Sequence, residues 1–185
     1  MMNFGKKLVL FFLFICVYSF CNAQIEVARM QTNNFTAFGL GSFVNFGIPV
    51  NEKGAVSIEG GFYYFTNGDN NVAIAPVIAG YRQLLSKTNY GWYLEPAVGY
   101  TFGGSDIQKY DANGVALNKP DGNQLDQLVN GPTACINFGY LFEATGRIRF
   151  NIALRYQHIF PNGDPGINVI SLRVSHSFSF GRRIQ

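Results

Sequence analysis

The sequence is poor in charged residues and has almost no excess of either sign. Asp, Glu, Lys and Arg make up 14% of its 185 residues, whereas about 25% is usual for a soluble protein. Once Lys6 and Lys7 are set aside as part of a leader peptide, 12 basic residues stand against 11 acidic ones. This balance gives no sign of the basic surface that binds nucleic acid, so we expect no nucleic-acid partner.

The sequence also lacks a hydrophobic run long enough to cross a membrane as a helix. Its longest run, residues 8–20, has about 13 residues, and a transmembrane helix needs roughly 20. Basic residues precede the run and the small residue Ala23 follows it, which predicts a secretory signal peptide over residues 1–23. A lipoprotein site at Cys21 is disfavoured, because Phe20 stands where such sites carry a small residue.

Cysteine is scarce as well. Of the three cysteines, Cys16 and Cys21 lie in the predicted signal peptide, and Cys135 alone stays in the mature chain. An internal disulfide is therefore excluded.

A helical period is absent from the whole chain. Instead, apolar and polar residues alternate in segments of about 10 to 14 residues, separated by turn-forming residues. Short turns alternate with longer loops, such as residues 67–71 and 104–130, which is typical of an outer-membrane β-barrel. We predict that residues 24–185 form an all-β, eight-stranded antiparallel transmembrane barrel in the outer membrane of a Gram-negative bacterium. Its strands are expected at residues 25–31, 34–48, 54–66, 72–85, 90–103, 131–144, 147–160 and 167–180.

The two faces of the predicted strands differ in size and polarity. From the second strand onward, one face carries large apolar side chains without charge, and the other carries glycine, serine and a few charged residues. Side chains fill the interior of an eight-stranded barrel, so the small set is expected inside and the bulky set against lipid. The phase of the first strand is ambiguous. The fourth strand has three apolar residues in phase with inward Arg82, namely Val72, Ile74 and Ile78, and we expect a bulge near Pro76 as the cause.

The inward set includes six charged residues. We predict that they form a network that fills and rigidifies the lumen, because unpaired charge is costly in a desolvated region. A gated ion path is the alternative, although eight strands leave little room for it. The residues are Glu59, Arg82, Glu95, Arg149, Arg155 and Arg173.

The segment 104–130 contains residues whose side-chain oxygens could bind calcium. Their spacing fits no complete calcium loop, and Asn-Gly and Asp-Gly are strong turn formers. We therefore predict turns here, no metal and no cofactor, and a place where a surface partner would bind. The residues are Asp111, Asn113, Asp121, Asn123 and Asp126.

His158 is the candidate for chemistry on the lipid-facing side. It shares the phase of Leu154 and Tyr156, near the outer end of its strand. If the following turn pairs Phe160 with residue 166, Asn168 lies opposite His158 on the same face. A polar residue that marks the end of a membrane strand is one interpretation of this histidine.

A second interpretation comes from a resemblance. The stretch "RYQHI", followed by "PNGDPGIN" and "ISLRVSHSFSFG", resembles the C-terminal end of the outer-membrane lipid A deacylases, or acyloxyacyl hydrolases. Those barrels cleave an ester-linked acyl chain from lipid A with a lipid-facing His, Ser and acidic residue. The resemblance implies that His158 is the base and that Asn168 takes the place of the orienting residue. The family's serine lies two residues after the histidine, where this sequence has Phe160.

Three functions are compatible with these features. The sequence favours a non-enzymatic barrel with a structural or surface-interaction role and deacylase-like descent, because Phe160 replaces the nucleophile. The alternatives are a lipid A deacylase with a different nucleophile, and a narrow channel or small-ligand transporter. The expected partner is outer-membrane lipid, with lipid A as the candidate.

Overall fold

A computed structural model describes residues 21–33, 35–88, 90–109, 115–118, 123, 125–142, 148–163 and 165–178, without the side chains of residues 21–23, 148–149 and 177–178. None of these residues forms a helix that is long and apolar enough to cross a membrane. The predicted signal peptide overlaps this part only at residues 21–23, so its cleavage stays a prediction. The strands are β1 (Cys21–Gln31), β2 (Thr36–Pro49), β3 (Gly54–Asn67), β4 (Asn70–Leu84), β5 (Gly91–Ser105), β6 (Gly131–Leu141), β7 (Ile148–Ile159) and β8 (Ile167–Phe178).

The strands close into a barrel. Each pairs antiparallel with its neighbour in the chain, and β1 also pairs with β8. Ile25 of β1, for example, lies opposite Ser42 of β2 and Val174 of β8. The predicted fold class is confirmed, and closure leaves no unpaired sheet edge in the hydrocarbon region.

One connection differs from the prediction. Residues 67–71 were expected to form a longer loop, but β3 and β4 continue to Asn67 and Asn70. They leave a tight turn of Gly68 and Asp69, in which Gly68 has a φ of 62°. Glycine adopts this left-handed conformation without strain, which is why the Asn-Gly-Asp sequence turns so sharply.

The outward face carries the bulky apolar residues, as predicted. Phe38 is 67% exposed, Val98 65% and Leu154 56%. Side chains of this size, left uncovered by protein all around the wall, form the surface that lipid contacts.

The fourth strand contains no bulge. Its pairings with β3 and with β5 each keep one register along the strand, so the expected bulge near Pro76 is wrong. Val72, Ile74 and Ile78 do point inward, and they are 0%, 0% and 3% exposed. The side chains of β4 alternate regularly between the two faces. Its inward residues are apolar because the interior of the barrel is apolar at their level.

That environment is apolar at the end that carries the longer loops, which is the outer end of such barrels. Here buried side chains from strands and loop form one cluster, which we call the outer plug. Ile74 and Val129 both pack onto Gly103, where an added Cβ would lie 2.8 and 3.0 Å from them. We count as the outer plug its members Met30, Phe65, Val72, Ile74, Ile107, Val129, Ile159, Ile167 and Val169, and the same cluster also includes Ala28, Ala37, Phe43 and Tyr63.

The described parts of segment 104–130 fold back over the outer plug. Backbone hydrogen bonds join Lys109 to Leu125 and Leu117, and Gln127 to Ile107. Asp111, Asn113 and Asp121 lie outside the described residues, and the described ones include no group of three potential metal ligands. The segment thus contributes to closing the barrel mouth through Ile107 and Val129.

Candidate functional site

His158 and Asn168 form a pair on the lipid-facing wall. The β7–β8 register places them directly opposite each other, in agreement with the predicted turn pairing. His158 Nδ1 lies 2.7 Å from Asn168 Oδ1, and the Tyr156 hydroxyl donates to the same oxygen at 2.7 Å. The imidazole is half-buried and held in one orientation, as a positioned base would be.

Among the residues that the structure describes, the surroundings of His158 supply no Ser, Thr or Cys as a nucleophile. Phe160 lies beside it, with ring centroids 4.4 Å apart in an edge-to-face arrangement. Gly166 is also close to the imidazole, since an added Cβ there would lie 2.6 Å from Nε2. Ala134 is the partner of His158 on β6. None of the neighbours described on this face is Ser, Thr or Cys.

The serines of nearby strands lie elsewhere. Ser171 and Ser175 of β8 point into the lumen and are 1% and 2% exposed. Ser42 faces outward on β2, and β2 is not a neighbour of β7. The described residues around His158 therefore provide an imidazole and an amide that fixes its orientation, but no Ser, Thr or Cys beside them.

A second cluster of polar groups occupies the centre of the lumen. Glu26 and Glu59 meet Arg155 and Arg173, and all four side chains are at most 3% exposed. Arg173 lies 2.6 Å from Glu26 (Nη2–Oε1) and 2.8 Å from Glu59 (Nη1–Oε2). Arg155 contacts Glu59 through Nη2 and lies 3.5 Å from Glu26 through Nη1. The four charges cancel, which is the condition under which buried charge is tolerated.

Neutral side chains complete this central network. Asn45 donates to Glu59 at 3.3 Å, and Arg155 Nε donates to Asn137 at 2.8 Å. Tyr63 and Ser171 both donate to Glu26. The carboxylates thus accept from several strands, which ties the barrel wall together across its interior.

Arg82 and Glu95 form a separate pair closer to the periplasmic end. Arg82 Nη2 lies 2.8 Å from Glu95 Oε2, and Ser57 donates to Glu95 at 2.5 Å. The Arg82 side chain is 22% exposed, whereas that of Glu95 is 2% exposed. The side chain of Arg149 lies outside the described residues. Of the six predicted residues, Glu59, Arg155 and Arg173 are therefore together, and Arg82 with Glu95 stands apart.

The fold places the chain among known membrane proteins. No family model and no curated protein matches it. Neisserial surface protein A aligns with a TM-score of 0.67 at 12% identity, over 87% of this chain and 96% of that one. Ail, the attachment invasion locus protein of Yersinia pestis, aligns with a TM-score of 0.53 at 12% identity, over 85% and 95%. The protein is an eight-stranded outer-membrane β-barrel.

The comparison with solved structures gives no information on whether the protein is an enzyme. The outer membrane enzyme PagL aligns with a TM-score of 0.46 at 14% identity, over 83% of this chain and 98% of that one. A similarity at this level establishes nothing about catalysis, so the role of the His158 pair rests on its own geometry.

Glu26 is the residue that sequence reasoning missed. It lies on β1, whose phase is ambiguous from sequence, and the register with β2 and β8 turns it inward. A signal was available, because the predicted inward set held four arginines against two glutamates. An excess of buried positive charge requires a further acid, and Glu26 is the acidic residue of the first strand.

Proposed function

We propose that this barrel is a non-enzymatic outer-membrane protein with a structural or surface-interaction role. The observation that carries the proposal is the position of Phe160. Its ring packs against the His158 imidazole, at the place where an esterase would need a hydroxyl. Ester cleavage through a covalent intermediate needs a nucleophile within hydrogen-bond reach of the base.

The orienting residue also supports this proposal. Asn168 can fix the tautomer of His158 through its Oδ1, 2.7 Å from Nδ1. It has no negative charge with which to stabilise an imidazolium, as the carboxylate of a catalytic triad does. The pair is therefore suited to holding the imidazole in place on the wall and poorly suited to accepting a proton from a substrate alcohol.

The filled lumen argues against the channel alternative. A solute on the barrel axis would meet the outer plug, in which Phe65, Val72 and Ile74 are fully buried. Below the plug it would meet the central network, in which Arg155 and Arg173 are closed off from solvent. A conducting pore needs a continuous hydrated path, and neither layer provides one.

A surface-interaction role is supported by the outer end of the barrel. The described parts of segment 104–130 cover the mouth and leave Val115 60% exposed and Leu128 46% exposed. Exposed apolar side chains on a hydrogen-bonded outer loop suit contact with a partner. Ail, which has the same architecture, is named for attachment and has been crystallised with a heparin analogue, sucrose octasulfate.

A lipid A deacylase is the second candidate. The contact between His158 and Asn168 favours it, because a hydrolytic site would hold its base in this way. Mass spectrometry of lipid A from cells with and without the gene separates the two functions. We expect the same number of acyl chains in both.

The test has a matched control in His158→Ala, expressed to the same level as the wild type. Loss of one acyl chain in cells with the wild-type gene, restored by His158→Ala, would establish hydrolysis and overturn the non-enzymatic proposal. Equal lipid A in all strains supports it.

A further inference from the structure

Arg29 is an exposed cation on the lipid-facing wall. Its strand alternates, so that Ile25 and Val27 are 66% and 57% exposed and Glu26 is buried. Among the strand residues whose side chains the structure describes, no other Asp, Glu, Lys or Arg points outward. Its partners across the wall are Phe38 of β2 and Ile170 of β8, both apolar.

The depth of Arg29 in the membrane suggests its role. A basic side chain on the lipid face is strongly destabilising at the midplane of the membrane and close to neutral near the interface. Arg29 lies two residues before Gln31, the last residue of β1, at the outer end of the barrel. A flexible side chain there reaches the headgroup level of the outer leaflet.

The amide side chains of Gln31 and Asn168 lie next to Arg29, on the side of the barrel rim. Gln31 lies directly opposite Asn168 on β8. Asn168 Oδ1 is occupied by the Tyr156 hydroxyl and by His158 Nδ1, whereas its NH₂ group makes no hydrogen bond among the described residues. The side chains of Arg29 and Gln31 have no hydrogen-bond or ion-pair partner among the described residues. The outward groups are thus a guanidinium and two amides, which are rich in donors.

We propose that Arg29, Gln31 and Asn168 bind the phosphate of an outer-leaflet lipid headgroup. Phosphate oxygens only accept hydrogen bonds at neutral pH and carry negative charge, which complements a guanidinium fork flanked by amide donors. The apolar side chains of Phe38 and Ile170 lie beside Arg29, where the acyl chains of the same lipid would run. This site goes beyond the proposed function, because it does not depend on whether His158 takes part in hydrolysis.

The test counts bound lipids by native mass spectrometry after release from nanodiscs that contain phosphatidylcholine and phosphatidylglycerol. The wild type is expected to retain phosphatidylglycerol preferentially, and Arg29→Gln to lower that preference about fivefold, the factor equivalent to ~1 kcal/mol for one basic side chain at an anionic surface. Arg29→Lys should keep part of it, because the charge stays while the fork is lost. Heat-modifiable migration on a gel shows that each variant is folded.

Lys53→Gln is the matched control. It removes the same charge from the exposed turn between β2 and β3, at the other end of the barrel, and should leave the preference unchanged. An Arg29→Gln variant with wild-type preference, or a Lys53→Gln variant with the same loss, would overturn the proposal.

Inorganic phosphate distinguishes a lipid site from a site for the free ion. We expect no phosphate adduct on the wild type in phosphatidylcholine alone, whereas an adduct that Arg29→Gln abolishes would overturn the lipid assignment. Deacylation of lipid A would contradict the proposed non-enzymatic function and leave the lipid site untouched. The two proposals are tested by different measurements, one of lipid A acyl chains and one of phospholipid retained on the protein.

Discussion

At the scale of single residues, one neighbour determines what His158 can do. The imidazole is positioned by Asn168 at 2.7 Å, and the Phe160 ring packs against it. Because the ring has no exchangeable proton, the pair lacks the group that a base would activate.

The first prediction is a gain of function. Phe160→Ser places a hydroxyl two residues from His158 on the same face, about 6.5 to 7 Å along the strand at 3.3–3.4 Å per residue. If the lipid A contact of the deacylases is retained, this variant should show weak deacylation, and Asn168→Glu should raise it by stabilising the imidazolium. Lipid A mass spectrometry measures both.

Phe160→Ala is the control for this prediction, since it removes the ring without adding a hydroxyl. Unchanged lipid A in the Phe160→Ser, Asn168→Glu double variant would mean that no lipid A ester lies within reach of His158. The histidine would then be a polar residue at the end of a membrane strand.

The second prediction concerns the central network. Arg155→Met leaves Glu59 and Glu26 with one buried cation, and an uncompensated buried charge costs about 3–5 kcal/mol. The free energy of unfolding, from denaturant titration in lipid vesicles, should fall by this amount. Adding Glu59→Gln restores the charge balance and should recover part of the loss. A double variant as unstable as the sum of the single ones would contradict the coupling.

At the scale of strands, alternation predicted most of the wall. On β2, β3 and β5 to β8 the bulky apolar face was assigned correctly to the outside, because large apolar side chains suit lipid. The expectation of a small-residue interior was wrong in part, since the lumen also holds Phe43, Tyr63, Phe65 and Tyr93, each at most 1% exposed. The β7–β8 pairing also followed from its turn, since the turn fixes the register and hence the meeting of His158 with Asn168.

Two strands show where alternation alone was insufficient. On β1 both faces carry apolar and polar residues, so Glu26 and Arg29 acquire their sides only through pairing with β2 and β8. On β4 the inward residues are apolar at the outer end and charged at Arg82, because the lumen changes from plug to polar network along its axis. The polar and apolar pattern of a single strand does not show how β1 pairs with β8 to close the barrel. It also does not show how the chemistry of the lumen changes along the barrel axis.

The third prediction tests the assignment of the faces by depth. Leu154 lies near the middle of β7 and is 56% exposed, so Leu154→Arg should lower the free energy of unfolding by about 2–4 kcal/mol. Thr66 faces outward one residue before the end of β3. Thr66→Arg should therefore cost about 0–1 kcal/mol. Denaturant unfolding in vesicles measures both, and equal costs would show that the depth or the face is misassigned.

At the scale of the whole molecule, the barrel is closed in two layers with different chemistry. The outer plug consists of buried apolar side chains packed against one another. The central network is polar instead, and its two carboxylates and two guanidinium groups are ion-paired with one another. Both layers fill the lumen with buried side chains in the part of the chain that the structure describes, so the outward wall and the outer loops are its exposed surfaces.

The last prediction follows from these two layers. The wild-type barrel in a planar lipid bilayer should give no discrete single-channel steps, whereas a porin in the same bilayer does. The Arg155→Met, Glu59→Gln variant should also stay closed, because it removes an ion pair and leaves the outer plug intact. A passing ion would still have to enter an apolar layer of buried side chains, where an unpaired charge is strongly disfavoured. Steps in the wild type that the double variant alters would instead place an ion path through the central network and restore the channel alternative.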